Sequence, residues 1–201
     1  MGNLPAARVT PAQPFATCGI DYAGPILTKE RARSKITLKA YISIFVCFAT
    51  KATHLEVATD LSTDAFLNCL RRFTSRRGLP QRIMSDNGTN FVGAHNELKK
   101  LLRSSNHRER IAEFLSNEHI EWRFKPPPPM HLTLEGWESG VKAVKHHLKR
   151  VIGDQRLTFE ELSTLVIQIE ACLNSRPLTP IFSDPTDLNP LTPGHFLIGG
   201  A

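Results

Sequence analysis

Apolar and polar positions alternate in a way that divides the chain into short strands, then longer helices. Phe15–Ile20 is a short apolar run ending at Asp21, and Gly24-Pro25 predicts a turn just beyond it. Residues 28–39 are rich in Lys and Arg and predict a hairpin loop. Ala40–Phe48 is a continuous run of β-branched and aromatic residues, the pattern of a central strand covered on both faces. His54–Ala58 alternates and predicts its antiparallel neighbour.

Helical spacing begins after Ser62 or Thr63, either of which can cap a helix reaching about Arg77. Phe66, Leu70 and Phe73 form its apolar stripe, and Gly78 and Pro80 stop it. Arg82–Ser85 predicts a fourth strand leading into Asp86, followed by helices over about Val92–Arg103 and Glu109–Asn117. Glu118–Phe124 alternates through Ile120, Trp122 and Phe124 as a fifth strand, and Pro126–Pro129 is a stiff linker. Gly136–Ile152 repeats with Trp137, Val141, Val144, Leu148 and Val151 or Ile152 inward. Thr158-x-x-Glu161 is a capping box opening a last helix, with Leu162, Leu165, Val166, Ile169 and Leu173 inward, and Arg176-Pro177 ends it. A meander followed by alternating helices and strands predicts an α/β chain: an RNase H-like fold with a five-stranded mixed sheet flanked by helices. The division expected is an extended arm over 1–14, a core over 15–176 and a Pro/Gly-rich tail over 177–201 that packs as a loop.

Composition narrows the setting. The chain of 201 residues with 41% hydrophobic content can bury a core. No apolar run approaches the roughly 20 residues of a membrane span, and Met1–Pro14 has no signal-peptide pattern, so the expected place is nucleus or cytoplasm. Cys18, Cys47, Cys69 and Cys172 stand apart among apolar neighbours and predict buried free thiols rather than a zinc site. The net charge of +6 favours an anionic partner such as nucleic acid. The cations cluster as Arg71, Arg72, Arg76 and Arg77, and as Lys142, Lys145, Lys149 and Arg150.

The candidate chemistry rests on Asp21, Asp86 and Glu138. Carboxylates brought from separate elements to one sheet edge can hold two divalent cations about 4 Å apart, the arrangement that cuts and joins phosphodiester bonds. Asp21 is expected at the end of the first strand and Asp86 after the fourth, neighbours in such a sheet. Glu138 shares a helix face with Lys142, Lys145 and Lys149, at offsets of 4, 7 and 11 residues, which suits a helix lying along DNA. Each feature also has an ordinary reading: a polar strand end, an Asp86-Asn87-Gly88 turn, a Glu138–Lys142 helix pair, a solvated lysine face. Their joint placement in this strand order favours the functional one.

Several stretches resemble the integrase core of LTR retrotransposons, in particular the Bel/Pao group. They are Gly19-Ile20-Asp21-Tyr22-Ala23-Gly24-Pro25, Ser85-Asp86-Asn87-Gly88-Thr89-Asn90-Phe91 and Trp137-Glu138-Ser139-Gly140-Val141-Lys142, with Met1–Pro5, Ile169–Leu178 and Thr192–Leu197. The resemblance implies that Asp21, Asp86 and Glu138 are a catalytic triad holding Mg²⁺ or Mn²⁺. It further implies an enzyme that trims the ends of element DNA and joins them to target DNA by transesterification, working as a homo-oligomer. Asn87, Thr89 and Asn90 are then expected to shape the turn at Asp86 and approach DNA.

The chain departs from that family in two respects. It has no His/His/Cys/Cys zinc module ahead of the core and no β-barrel domain after it, so a core fragment of a polyprotein is expected. Residues 129–136 read Pro-Met-His-Leu-Thr-Leu-Glu-Gly, where the family tends to have His-Ala-Pro-His-Phe-Gly-Gly-Leu. The two strings can come from nearly the same bases in different frames, and we hypothesise a local frameshift restored by Trp137. Codons that cannot yield the family motif in a shifted frame would sink that idea. Losing paired glycines before the helix would disturb the entry to Glu138. The alternative function is therefore a catalytically decayed, transposon-derived nucleic-acid-binding module; a plain RNase H-type nuclease is a third.

Overall fold

A computed structural model describes residues 11–85, 120–124, 135–153, 155–181 and 189–198. The strands are β1 (Thr17–Lys29), β2 (Thr37–Cys47), β3 (Thr53–Ala58), β4 (Arg82–Ser85), β5 (Glu121–Phe124) and β6 (Leu157–Thr158). The main helices are α1 (Thr63–Arg77), α2 (Glu135–Ile152) and α3 (Phe159–Asn174). The sheet is mixed, with order β3-β2-β1-β4-β5; β1–β2 and β2–β3 are antiparallel, and β1–β4 and β4–β5 are parallel. It has six strands rather than the five expected, because β6 adds in parallel to the far end of β1. Two residues carry no readable period, so β6 had no signature of its own.

The pleat sorts the core into two layers. Ile42, Ile44 and Val46 of β2 face α2 and α3, meeting Val141, Val144 and Leu148, and Leu162, Val166, Ile169 and Leu173. Phe45 and Cys47 face the other way with Ile20, Phe66, Leu70, Phe73 and Trp122. That second layer is aromatic: Phe45 stacks on Phe73 at 4.2 Å between centroids, and Phe15 meets Phe73 edge-on at 5.2 Å. Ser62 caps α1 by accepting from Ala65 N–H, and Thr158 and Glu161 form the expected reciprocal box at the start of α3.

Three expectations change. Gly24-Pro25 does not turn the chain. It is a cis-proline bulge inside a strand of 13 residues, after which pairing with β2 resumes at Ile26 opposite Ala40. Gly24 has φ +129, and a Cβ there would lie 3.1 Å from the Ala40 carbonyl oxygen, so glycine is what the bulge accepts. Asp21 is consequently mid-strand, and the expected 28–39 loop is strand at its two ends, residues 28–29 and 37–39, with the loop itself over 30–36. Cys172 is exposed on the outer face of α3, while Cys18, Cys47 and Cys69 are buried and free, and burial pushes Cys69 up to about 11. The tail is not plain loop: β7 (Thr179–Pro180) pairs with β8 (Pro190–Leu191), and α4 (His195–Ile198) follows. The predicted helices over 92–103 and 109–117 and the proline linker lie outside the described residues.

β3 forms one border of the sheet, and side chains cap its outer groups. Thr53 N–H donates to Asn174 Oδ1 at 2.8 Å, Leu55 N–H to Glu170 Oε2 at 2.8 Å, and the Val57 carbonyl accepts from Arg72 at 2.9 Å.

Candidate functional site

Asp21 lies opposite Ile44 in the register, on the face covered by α2, and it is the first residue of β1 beyond the ladder with β4. That parallel ladder ends with Ile20 opposite Ser85, the residue before Asp86. Ser85 is buried and accepts from Trp122 Nε1–H at 2.8 Å, which ties the end of β4 to β5. Asp86 itself lies outside the described residues, as do Asn87, Thr89 and Asn90.

The α2 helix runs over the sheet from the Val46 side toward the distal half of β1. Gly140 sits on Val46 so closely that a Cβ would meet its Cγ1 at 3.1 Å. Five residues on, Lys145 reaches Asp21, its Nζ 3.0 Å from Oδ2. Glu138 belongs to the first turn of this helix, two turns before Lys145 and about 10 Å back along the axis; its side chain lies outside the described set. Lys142, Lys145 and Lys149 are all exposed, as their common helix face predicts.

The Asp21 carboxylate is held from both sides. Oδ1 accepts from Tyr22 N–H at 2.7 Å, and Oδ2 takes the Lys145 ammonium. The pair is open to water, with side chains 31% and 46% exposed for Asp21 and Lys145. Such a site already binds a cation, and its oxygens are the hard donors that Mg²⁺ and Mn²⁺ take. Among the described residues, no three His, Cys, Asp or Glu side chains converge as a metal site. The structure thus brings together Asp21, Lys145 and the helix of Glu138, while the other two acids contribute side chains beyond the described set.

The arginine cluster has a different role from the one its charge suggested. Arg72 Nε donates to Glu56 Oε2 at 2.6 Å, Arg76 also pairs with Glu56, and Arg77 Nη2 donates to Glu170 at 2.6 Å. His54 lies between these carboxylates, fully buried, with Nε2 3.0 Å from Glu56 and Nδ1 3.3 Å from Glu170. Arg77 Nε also lies 3.3 Å from His54 Nδ1, and the tautomer decides which ring nitrogen donates. Burial lowers the His54 pKa below its usual 6.5. Burial would raise Glu170, but the hydrogen bonds from His54 and Leu55 N–H and the charge of Arg77 outweigh it and hold the carboxyl low. Only Arg71 of the cluster makes no ion pair among the described residues. Sequence reasoning missed this network because its acids, Glu56 and Glu170, are distant from the arginines in the chain and follow no motif.

No protein-family model matches the chain, and no curated protein matches it. Among the described residues, no helix is long and apolar enough to cross a membrane.

Proposed function

We propose that the chain is the core of an integrase-type polynucleotidyl transferase of the LTR-retrotransposon kind, built on an RNase H-like sheet. One observation carries the reading. β1 and β4 run side by side and parallel, with the ladder ending one residue before Asp21 and Asp86, while α2, which carries Glu138, crosses the face on which Asp21 meets Lys145. Three carboxylates from three elements at one sheet edge are what a two-metal phosphodiester chemistry requires.

In this reading Asp21, Asp86 and Glu138 hold Mg²⁺ or Mn²⁺. The ions, when bound, make a water or a DNA 3′-hydroxyl nucleophilic and neutralise charge on the leaving oxygen. The protein's part is placement. Tyr22 N–H fixes one Asp21 oxygen and Lys145 pairs with the other; with DNA bound, Lys145 would turn to a phosphate and Lys142 and Lys149 would hold its neighbours. Water as nucleophile trims the element's end; the resulting 3′-hydroxyl as nucleophile joins it to target DNA. Assembly on both ends calls for more than one copy of the chain.

A second reading has a specific observation behind it. Lys145 neutralises Asp21 at 3.0 Å, an arrangement that also suits a decayed core that retains only nucleic-acid binding. Titration with Mg²⁺ or Mn²⁺, followed by thermal unfolding, separates the two. The transferase reading expects a metal-dependent rise in melting temperature that Asp86→Asn abolishes, and strand transfer by the wild type. A folded wild type that gives neither, even with DNA present, overturns it in favour of the binding module.

A further inference from the structure

Cys18 and Cys47 stand directly opposite each other on β1 and β2. Beside them, Phe48 N–H donates to the Thr17 carbonyl at 3.0 Å, while Cys47 N–H turns the other way, to the Ala52 carbonyl at 2.8 Å. Cys18 and Cys47 are therefore a non-hydrogen-bonded pair of the antiparallel ladder, with Cα atoms about 4.5 Å apart and side chains close together on one face. Both side chains belong to the aromatic layer, with Phe15, Phe45 and Ile83. A disulfide takes Cα atoms roughly 4.4–6.8 Å apart, so the ladder already holds this pair within range. The remaining cysteines are placed differently. The Cys69 thiol donates to the Val57 carbonyl at 3.7 Å, and Cys172 is exposed on α3.

The two opposed sulfurs are not equivalent. Cys47 Sγ accepts from Phe15 N–H at 3.2 Å and from Thr50 N–H at 3.4 Å. Each donor belongs to a segment with a left-handed residue that is not glycine: Phe15 itself, at φ 62, and Lys51, next to Thr50, at φ 60. Side chains rarely adopt that conformation, and here it bends the backbone round the Cys47 sulfur from both sides. Burial, and then the Cys47 sulfur beside it, push the Cys18 thiol up, so Cys18 keeps its proton and Cys47 is the sulfur prepared to react.

We propose that Cys18 and Cys47 are a redox pair that a hydroperoxide closes to a disulfide. Cys47 Sγ attacks one peroxide oxygen; an S–O bond forms, the O–O bond breaks, and the thiol proton leaves with the departing oxygen as water. The product is a sulfenic acid. Phe15 and Thr50 N–H hold the charge that develops on the sulfur. Cys18 Sγ then attacks that sulfur. The S–S bond forms, the S–O bond breaks, and the Cys18 proton leaves with the hydroxyl as a second water. Two thiols and one hydrogen peroxide thus give one disulfide and two waters, the sulfurs losing the two electrons that the peroxide oxygens gain. An oxidant little larger than water suits a buried target reached when the turn between β2 and β3 opens locally. Closure links positions 29 residues apart (47 − 18) and pins β1 to β2 three residues before Asp21 (21 − 18), so the stability of the sheet follows its redox setting. The proposal uses neither Asp86 nor Glu138 and is independent of the transferase reading.

The test is treatment of the folded full chain with hydrogen peroxide in a Cys172→Ser background, which removes the exposed thiol. Iodoacetamide in denaturant then counts the free thiols, and peptide mass mapping without reductant locates any link. Three thiols should be alkylated before treatment and one, Cys69, afterwards, with Cys18 joined to Cys47. Melting temperature should rise by about 10 °C, as a link closing a loop of this length implies for a chain of this size, and dithiothreitol should reverse both changes. Cys18→Ala should leave Cys47 as a sulfenic acid that dimedone captures; capture at Cys18 in Cys47→Ala instead would overturn the order of attack. Linking itself is read in a chain that keeps both cysteines, so it does not depend on those variants folding. Three alkylated thiols after treatment, or links scattered between Cys69 and the other two, overturn the pair. A Cys18–Cys47 link without a rise in melting temperature also overturns it, because such a link forms at the expense of the native pairing.

Discussion

Two sets of charges lie on different strands of this sheet, one at its β3 border and one at β1, and they are built to opposite specifications. At the β3 border, His54, Glu56 and Glu170 are buried, three arginines lie against them, and the Leu55 and Val57 backbone groups are drawn in. At Asp21 there is one lysine, one backbone N–H and water. A desolvated network with every member satisfied holds its elements in one arrangement, and removing any member strands the rest. An exposed pair contributes little to stability and exchanges partners freely. The first locks α1 and α3 to β3; the second leaves a carboxylate available.

The sharpest way to break this contrast is Glu170→Ala, which strands Leu55 N–H, Arg77 and His54 together. Chemical denaturation should show a loss of about 3–5 kcal/mol. A loss below about 1 kcal/mol would mean that the network does not act as a unit.

Acid should attack the same side. The folded-state pKa of His54 is lowered, so the unfolded chain takes up its proton first; that contribution to stability is full above 6.5 and declines as pH falls below it. Glu170, also lowered, contributes above 4.5 and is lost as pH falls through its folded value. Melting temperature should decline from pH 6.5 downward, and His54→Gln should flatten the upper part of that decline while leaving the part below 4.5. An unchanged profile would show that His54 is not the group responsible.

Gly140→Ala probes the other side through packing. The added methyl gains helix propensity but meets Val46, and we expect a net loss of about 1 kcal/mol. Val46→Ala should remove that penalty in a double-mutant cycle; additivity of the two changes would place the cost elsewhere. The smallest effect belongs to Lys145→Ala, within about 1 kcal/mol by denaturation. A larger loss would erase the distinction between the two charge sets.

What the sequence made legible follows from which signals are local. Helix caps at Ser62 and Thr158, the apolar stripes of the three long helices and the β2 core strand are short-range patterns, and the structure has them with ends shifted by up to three residues. The reading of Gly24-Pro25 as a turn failed because a bulge and a turn share the same residue types; only pairing with β2, which is not local, tells them apart. β6 and the short strands of the tail exist through partners rather than periodicity. At the candidate site, the helix position of Glu138 and the shared face of the lysines were readable from spacing, whereas the Lys145–Asp21 contact, 124 residues apart, depends on how α2 lies across the sheet. The arginines of α1 misled for the same reason: a sequence displays charge but not the distant carboxylates that neutralise it.

The side-chain caps on β3 also govern how copies of this chain can meet. A strand arriving from another molecule would find the Thr53 and Leu55 N–H groups and the Val57 carbonyl already occupied by Asn174, Glu170 and Arg72. Strand addition, the common route from an open sheet border to ordered aggregates, is closed there. Copies gathered at high local concentration could then crowd together along that border without their sheets fusing.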